Sequence, residues 1–125
     1  MFTWTRYQGY EVSSKGDRRF SAFYARLKDG RTVEEAYQLD VKGYRIFGNN
    51  VMLGKGKPPL NDLTKDDLYH RYLCLWAEWA DENLPLLFEL KQAAQKCGNR
   101  LSDRFASSEI NQARALADLL NLLEL

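Results

Sequence analysis

The sequence predicts an α+β fold in which a small N-terminal sheet is followed by a helical C-terminal half packed on it. Three observations carry this. Apolar and aromatic residues alternate along the first 27 positions, Asp29-Gly30 marks a sharp turn, and apolar positions recur at helical spacing from Thr64 onward. The length of 125 residues fits one domain spanning residues 1–125, large enough to bury a core.

In order, Phe2 and Trp4 alternate, as do Tyr10 and Val12, and Phe20 to Leu27 continues the pattern as strand material before the Asp29-Gly30 turn. Thr32 followed three residues later by Glu35 is a capping-box pattern, opening a helix that Gly43 can end. The stretch from Tyr44 to Pro59 is glycine-rich and basic, and reads as a loop with at most a short strand at Val51 to Leu53. Thr64 with Asp67 caps the next helix, whose apolar face is Leu68, Tyr72, Leu75, Trp76 and Trp79. Pro85 suits a first helical turn, and Gly98 closes that helix. A last helix runs from about Ser108, with Ile110, Ala113, Leu116, Ala117, Leu120 and Leu123 apolar.

Net charge is +1, so no overall field draws in nucleic acid or an acidic membrane. No apolar run reaches the length of a membrane span, and the first residues lack the basic and apolar regions of a signal peptide. The expected location is the cytoplasm, with Cys74 and Cys97 reduced and buried. His70 is the sole histidine and sits off the apolar stripe of its helix. No His, Cys and carboxylate cluster has metal-ligand spacing, and neither a metal nor another cofactor is expected.

Glu34 and Glu35 are the first candidates. A carboxylate in a first helical turn faces the positive end of the dipole, a gain of roughly 0.3–1 kcal/mol. Capping accounts for Glu35, whereas Glu34 is left over beside Tyr37 and Gln38, where a carboxylate can act as acid or base. Lys55 and Lys57, set between Gly54 and Gly56, can offer charge to a phosphate, although the loop matches neither a Walker A nor a dinucleotide-binding pattern. Lys15, Arg18 and Arg19 form a second basic cluster, equally readable as a solvated strand flank. Asn111-Gln112 can cap the last helix or hydrogen-bond a ligand near its start.

The string FSAFYARLKDGRTVEEAYQ, residues 20 to 38, resembles the signature of the NADAR superfamily, as a divergent member. Phe20, Ser21, Phe23, Tyr24, Asp29, Gly30, Glu34, Tyr37 and Gln38 fall on that signature in order. The histidine that follows its glutamate is Glu35 here, and its later lysine corresponds to Lys42, one place on. The resemblance implies recognition of an ADP-ribose-like or NAD-derived nucleotide, with N-glycosidic cleavage in active members. It also implies a phage or prophage origin as a counter-defence factor, acting in the host cytoplasm.

On that resemblance Glu34 is the catalytic residue and faces a ribose beside Ser21, Tyr24, Tyr37 and Gln38. Phe20 and Phe23 stack on a base, while Arg18, Arg19, Lys42, Lys55 and Lys57 meet phosphates and Asn111 adds a polar contact. The alternatives are a non-catalytic sponge that sequesters an NAD-derived signal, and a protein-interaction module. The expected partner is a small nucleotide, with room for a homo-oligomer and no nucleic acid or membrane.

Overall fold

A computed structural model describes residues 1–42, 44–47, 50–53 and 64–124, without the side chains of residues 42, 44–47 and 50–53. The chain is α+β. A three-stranded sheet is formed by β1 (Thr3–Thr5), β2 (Tyr10–Glu11) and β5 (Arg100–Ser102). Beside it stand α1 (Val33–Lys42), α2 (Lys65–Asp81), α3 (Leu84–Gln95) and α4 (Gln112–Leu123), and β3 (Tyr44–Phe47) pairs with β4 (Asn50–Leu53).

The sheet differs from the expected one in its makeup. Its strand order is β1-β5-β2, so the central strand comes from the C-terminal half, and both pairings are parallel. Thr3 pairs with Arg100 on one side of β5, and Tyr10 pairs with Leu101 on the other. Residues 6–9 must therefore carry the chain across β5. Gly9 makes this crossing possible: a Cβ there would lie 2.9 Å from the Arg100 carbonyl oxygen. Gln8 next to it has φ 65°, and its carbonyl accepts a hydrogen bond from Arg100 Nε at 3.0 Å.

The strand expected from Phe20 to Leu27 is instead a run of turns. Arg18–Phe20 form a 3-10 turn, and the Ser21 carbonyl accepts the amides of both Tyr24 and Ala25. Ala22, Ala25 and Leu27 are buried while Phe23 and Tyr24 face solvent, so the apolar alternation reflects a folded turn. A single bridge, Arg26 to Thr32, closes the Asp29-Gly30 turn, where Gly30 takes φ 91°. The expected loop after Tyr44 also contains an antiparallel pair, with Tyr44 opposite Leu53 and Phe47 opposite Asn50.

Helix starts follow local chemistry closely. Thr32 Oγ1 accepts the Glu35 amide at 3.1 Å while Glu35 Oε1 accepts from Thr32, the reciprocal box that satisfies two otherwise free donors. Thr64 and Asp67 repeat it on α2, Pro85 lies in the first turn of α3, and Gly98 follows that helix at φ 68°. Gly43, read as the end of α1, lies outside the described residues. The last helix begins later than Ser108: Asn111 is its cap, with Oδ1 accepting the Arg114 amide at 2.9 Å.

An aromatic chain runs through the core. Tyr37 packs edge-on to Tyr72, Tyr72 to Trp76, Trp76 to Trp79 and Trp79 to Phe20, with centroids 5.1–6.5 Å apart. Leu87, Leu90, Leu101, Leu116 and Leu120 close around it. Fully burying such a side chain contributes about 1.5–3 kcal/mol. The cysteines depart from expectation, with Cys74 exposed and Cys97 half-buried. Cys74 lies on the polar side of α2, where its Sγ is 3.6 Å from Nε2 of exposed His70. No helix among the described residues is long and apolar enough to cross a membrane.

Candidate functional site

A cleft of about 320 Å³ opens where β2 and β5 end. Ser13 and Ser14 follow β2 and Asp103 follows β5, so the cleft lies beyond the carboxyl ends of parallel strands, the usual ligand position in such sheets. Glu34 comes from the first turn of α1, Tyr72 from α2, and Asn111 with Gln112 from the start of α4. Its volume lies at the small end of the range for small-molecule sites.

Ala22 joins two of these walls. Its amide donates to Gln112 Oε1 at 2.8 Å, and its carbonyl accepts the Glu34 amide at 3.0 Å. The α4 start is thus locked to the turn that places α1. Glu34 Oε1 in turn accepts from Gln38 Nε2 at 2.8 Å, one helical turn on, which fixes the carboxylate's orientation. Gln38 thus holds the Glu34 carboxylate from within the same helix.

Asp103 is 5% exposed. Its Oδ1 accepts the Phe105 amide at 3.0 Å, and no cation pairs with it among the described residues. Burial raises its pKa above the usual aspartate value, the Phe105 amide opposes the shift, and the Glu11 charge adds to it. Tyr72 is also displaced upward by burial, with the Trp76 indole opposing and the charges of Glu34 and Asp103 reinforcing. That indole Nε1 is buried and meets no acceptor in hydrogen-bonding geometry. Among the described residues, two carboxylates and no lysine or arginine line the cleft.

Of the residues expected from sequence, Glu34, Ser21, Phe23 and Asn111 meet in this cleft. Phe23 is 65% exposed at its mouth, free to cover a ligand ring. Asn111 contributes mainly as a cap, its Nδ2 also donating to the Ser108 carbonyl. Arg18 and Tyr24 stand outside the lining: the guanidinium lies over the Tyr24 ring, and its Nε donates to the carbonyl of Ser14, a cleft residue.

Three of the expected residues lie elsewhere than in this cleft. Phe20 is 1% exposed and packed against Trp79, so it belongs to the core and cannot stack on a base. Arg19 is held by Asp17 at 2.8 Å and Glu89 at 2.6 Å, away from the cleft. Tyr37 packs on Tyr72 and does not line the cleft. The Lys42 side chain and residues Lys55 and Lys57 lie outside the described part of the chain. The sequence reading gave no role to Ser13, Asp103 or Phe105, although the last two lie in SDRFASSE, the stretch that stands out before Asn111-Gln112. Among the described residues no group of three or more His, Cys, Asp and Glu could hold a metal ion.

Compared with known proteins, the chain matches no protein-family model, and no curated protein or solved structure is significantly similar to it.

Proposed function

We propose that the cleft binds the ribosyl part of an ADP-ribose-like or NAD-derived nucleotide and hydrolyses its N-glycosidic bond. The observation that carries the reading is the meeting of Glu34, from α1, with the buried Asp103, from the end of β5, in one cleft lined by serine and amide groups. N-glycoside cleavage needs a group that stabilises positive charge on the sugar and, where the base is a poor leaving group, a group that protonates it.

The bond from C1′ to the base nitrogen breaks and its electron pair stays on that nitrogen; where that nitrogen needs a proton, Asp103, buried in the cleft, is the group placed to give it. Glu34, oriented by Gln38, stabilises the oxocarbenium-like sugar and takes a proton from the water whose oxygen bonds to C1′. Serine and amide groups suit ribose hydroxyls, and Phe23 covers the base. The NADAR-like signature around Glu34 supports the same reading.

The test is chromatography of NAD, ADP-ribose and ribonucleosides after long incubation with wild type and with Glu34→Gln. Release of a free base by wild type alone is the expected result. Ligand that binds and is recovered intact from wild type would turn the cleft into a sequestering site for that ligand.

A further inference from the structure

The cleft and a neighbouring groove share the segment from Ala106 to Ile110, and their electrostatic characters differ. Among the described residues, the cleft is lined by two carboxylates and no cation. The groove, about 800 Å³, is lined by Trp4, Arg6, Lys65 and Arg114 against Asp66 and Glu109. Ala106, Ser107 and Ile110 line both.

We propose that this groove binds the anionic, phosphate-bearing part of the ligand whose sugar occupies the cleft. The assignment rests on the nucleotide reading above and moves the phosphate site away from Arg19, which Asp17 and Glu89 already hold. Arg114 stands within 4 Å of Glu109 and Asp118, and its guanidinium lies 3.7 Å from the Tyr69 ring centroid. It serves the groove as a fixed wall. Arg6 and Lys65 are exposed and make no ion pair with a carboxylate among the described residues, so their charges are available to an incoming anion. They come from different elements, Arg6 from the crossing after β1 and Lys65 from the start of α2, and both line the groove. Trp4, half-buried, lines the same groove.

The polarity matches a particular kind of ligand. A phosphate entering the cleft would face Glu34 and Asp103, whereas one lying across the Ala106–Ile110 segment meets Arg6 and Lys65. A ribosyl group carrying a pyrophosphate on its 5′ side has this division of charge along its length. Charge-assisted contacts of this type are roughly twice as strong as neutral ones and are weakened by salt when exposed.

The experiment uses inorganic pyrophosphate and adenosine as separate probes on the full chain, read by proton–nitrogen correlation spectra. Trp76 and Trp79 are buried, so the Trp4 indole is the reporter for the groove. Pyrophosphate should shift the Trp4 indole and the Arg6 and Lys65 amides saturably. Affinity should fall at least tenfold in the Arg6→Ala/Lys65→Ala double variant and be largely kept in Arg6→Lys. Adenosine should shift Ala22, Phe23 and Phe105 and be indifferent to the double variant. If pyrophosphate causes no saturable shift, or binds the double variant equally well, the groove assignment falls whatever adenosine does. If pyrophosphate behaves as expected and adenosine leaves the cleft unmoved, the groove stands as an anion site and the nucleoside reading of the cleft falls.

Discussion

Gln112 Oε1 accepts the amide of Ala22, a residue 90 positions earlier in the chain, at 2.8 Å. Both residues are buried, so neither group has bulk water as an alternative partner. Gln112→Ala strands the Ala22 N–H and should cost about 1–3 kcal/mol of unfolding free energy. Gln112→Glu keeps an acceptor and should cost less than the alanine variant. Urea denaturation of the two variants checks the order, and equal losses would show that the bond contributes little.

Glu34 and Glu35 are neighbours with separate tasks. Glu35→Gln retains an amide oxygen for the Thr32 box and should lower stability by about 0.5 kcal/mol, a small share of the usual cap contribution. Glu34→Gln should leave the melting temperature within about 1–2 °C, by the scaling of small free-energy changes for a domain of this size. It should lower turnover by orders of magnitude while ligand affinity stays within a few-fold, because the lost charge acts on the transition state. Comparable activity losses in both variants would remove the distinction.

Asp103 introduces a pH dependence of definite sign. Its folded pKa is raised by burial, so the native state holds the proton more tightly than the unfolded chain does. Stability from this group is fully present below the unfolded aspartate value of about 3.9 and declines as pH rises from there through the raised value. Asp103→Asn should therefore be more stable than wild type at neutral pH, with the difference shrinking as pH is lowered toward 4. Paired denaturation curves across that range measure it. The same variant should slow release of poorly leaving bases more than readily leaving ones, since only the former depend on protonation.

Asp17 has the opposite sign. The Arg19 guanidinium, first, and the Tyr10 hydroxyl both hydrogen-bond it and hold its carboxyl below the usual range, against the cost of burial. Tyr10 is correspondingly pushed up to about 12, by burial first and by Asp17 second. The Asp17 contribution is present above an unfolded value of about 3.9 and is lost as pH falls through the lower folded value. Asp17→Asn should destabilise the protein by about 1 kcal/mol at neutral pH, a modest figure because Arg19 is half-exposed. The variant should also lose less stability than wild type on acidification. A difference that widened toward low pH would contradict this account.

Gly9→Ala should destabilise by about 1–3 kcal/mol, the usual range for overpacking, since the added methyl meets the β5 backbone and backbone cannot rotate aside. Gly30→Ala loses stability for a different reason, φ 91° with open space around it, and serves as the comparison. Loss of β1 and β5 amide protection in Gly9→Ala alone would locate the damage at the crossing.

What the sequence made legible was local. Thr32 with Glu35 and Thr64 with Asp67 announce helix starts because a cap needs only residues three apart. Glu34 stood out because the box left it without a task. The sheet was hidden, since Arg100–Ser102 is three residues long and acquires its role only by lying between Thr3–Thr5 and Tyr10–Glu11. Phe20 to Leu27 misled because its apolar residues alternate as in a strand, whereas the turns bury Phe20, Ala22, Ala25 and Leu27 and leave Phe23 and Tyr24 exposed. Asp103 was invisible for a related reason: an aspartate within SDRF looks solvated until the fold closes over it.

The central position of β5 has a consequence for the order of assembly on the ribosome. The two N-terminal strands emerge first and have no partner in each other, because β5 lies between them. They must wait until Arg100–Ser102 has cleared the exit tunnel, when most of the chain has been made. Pairing at such separation closes a long loop before any contact repays it, which slows folding. Helix pairs α2 and α3 can form earlier from neighbouring sequence, so the nascent chain should carry helices before it carries a sheet. The cleft, which needs the ends of β2 and β5 together, is then among the last features to form, and a truncated chain ending before Arg100 would have helices but no cleft.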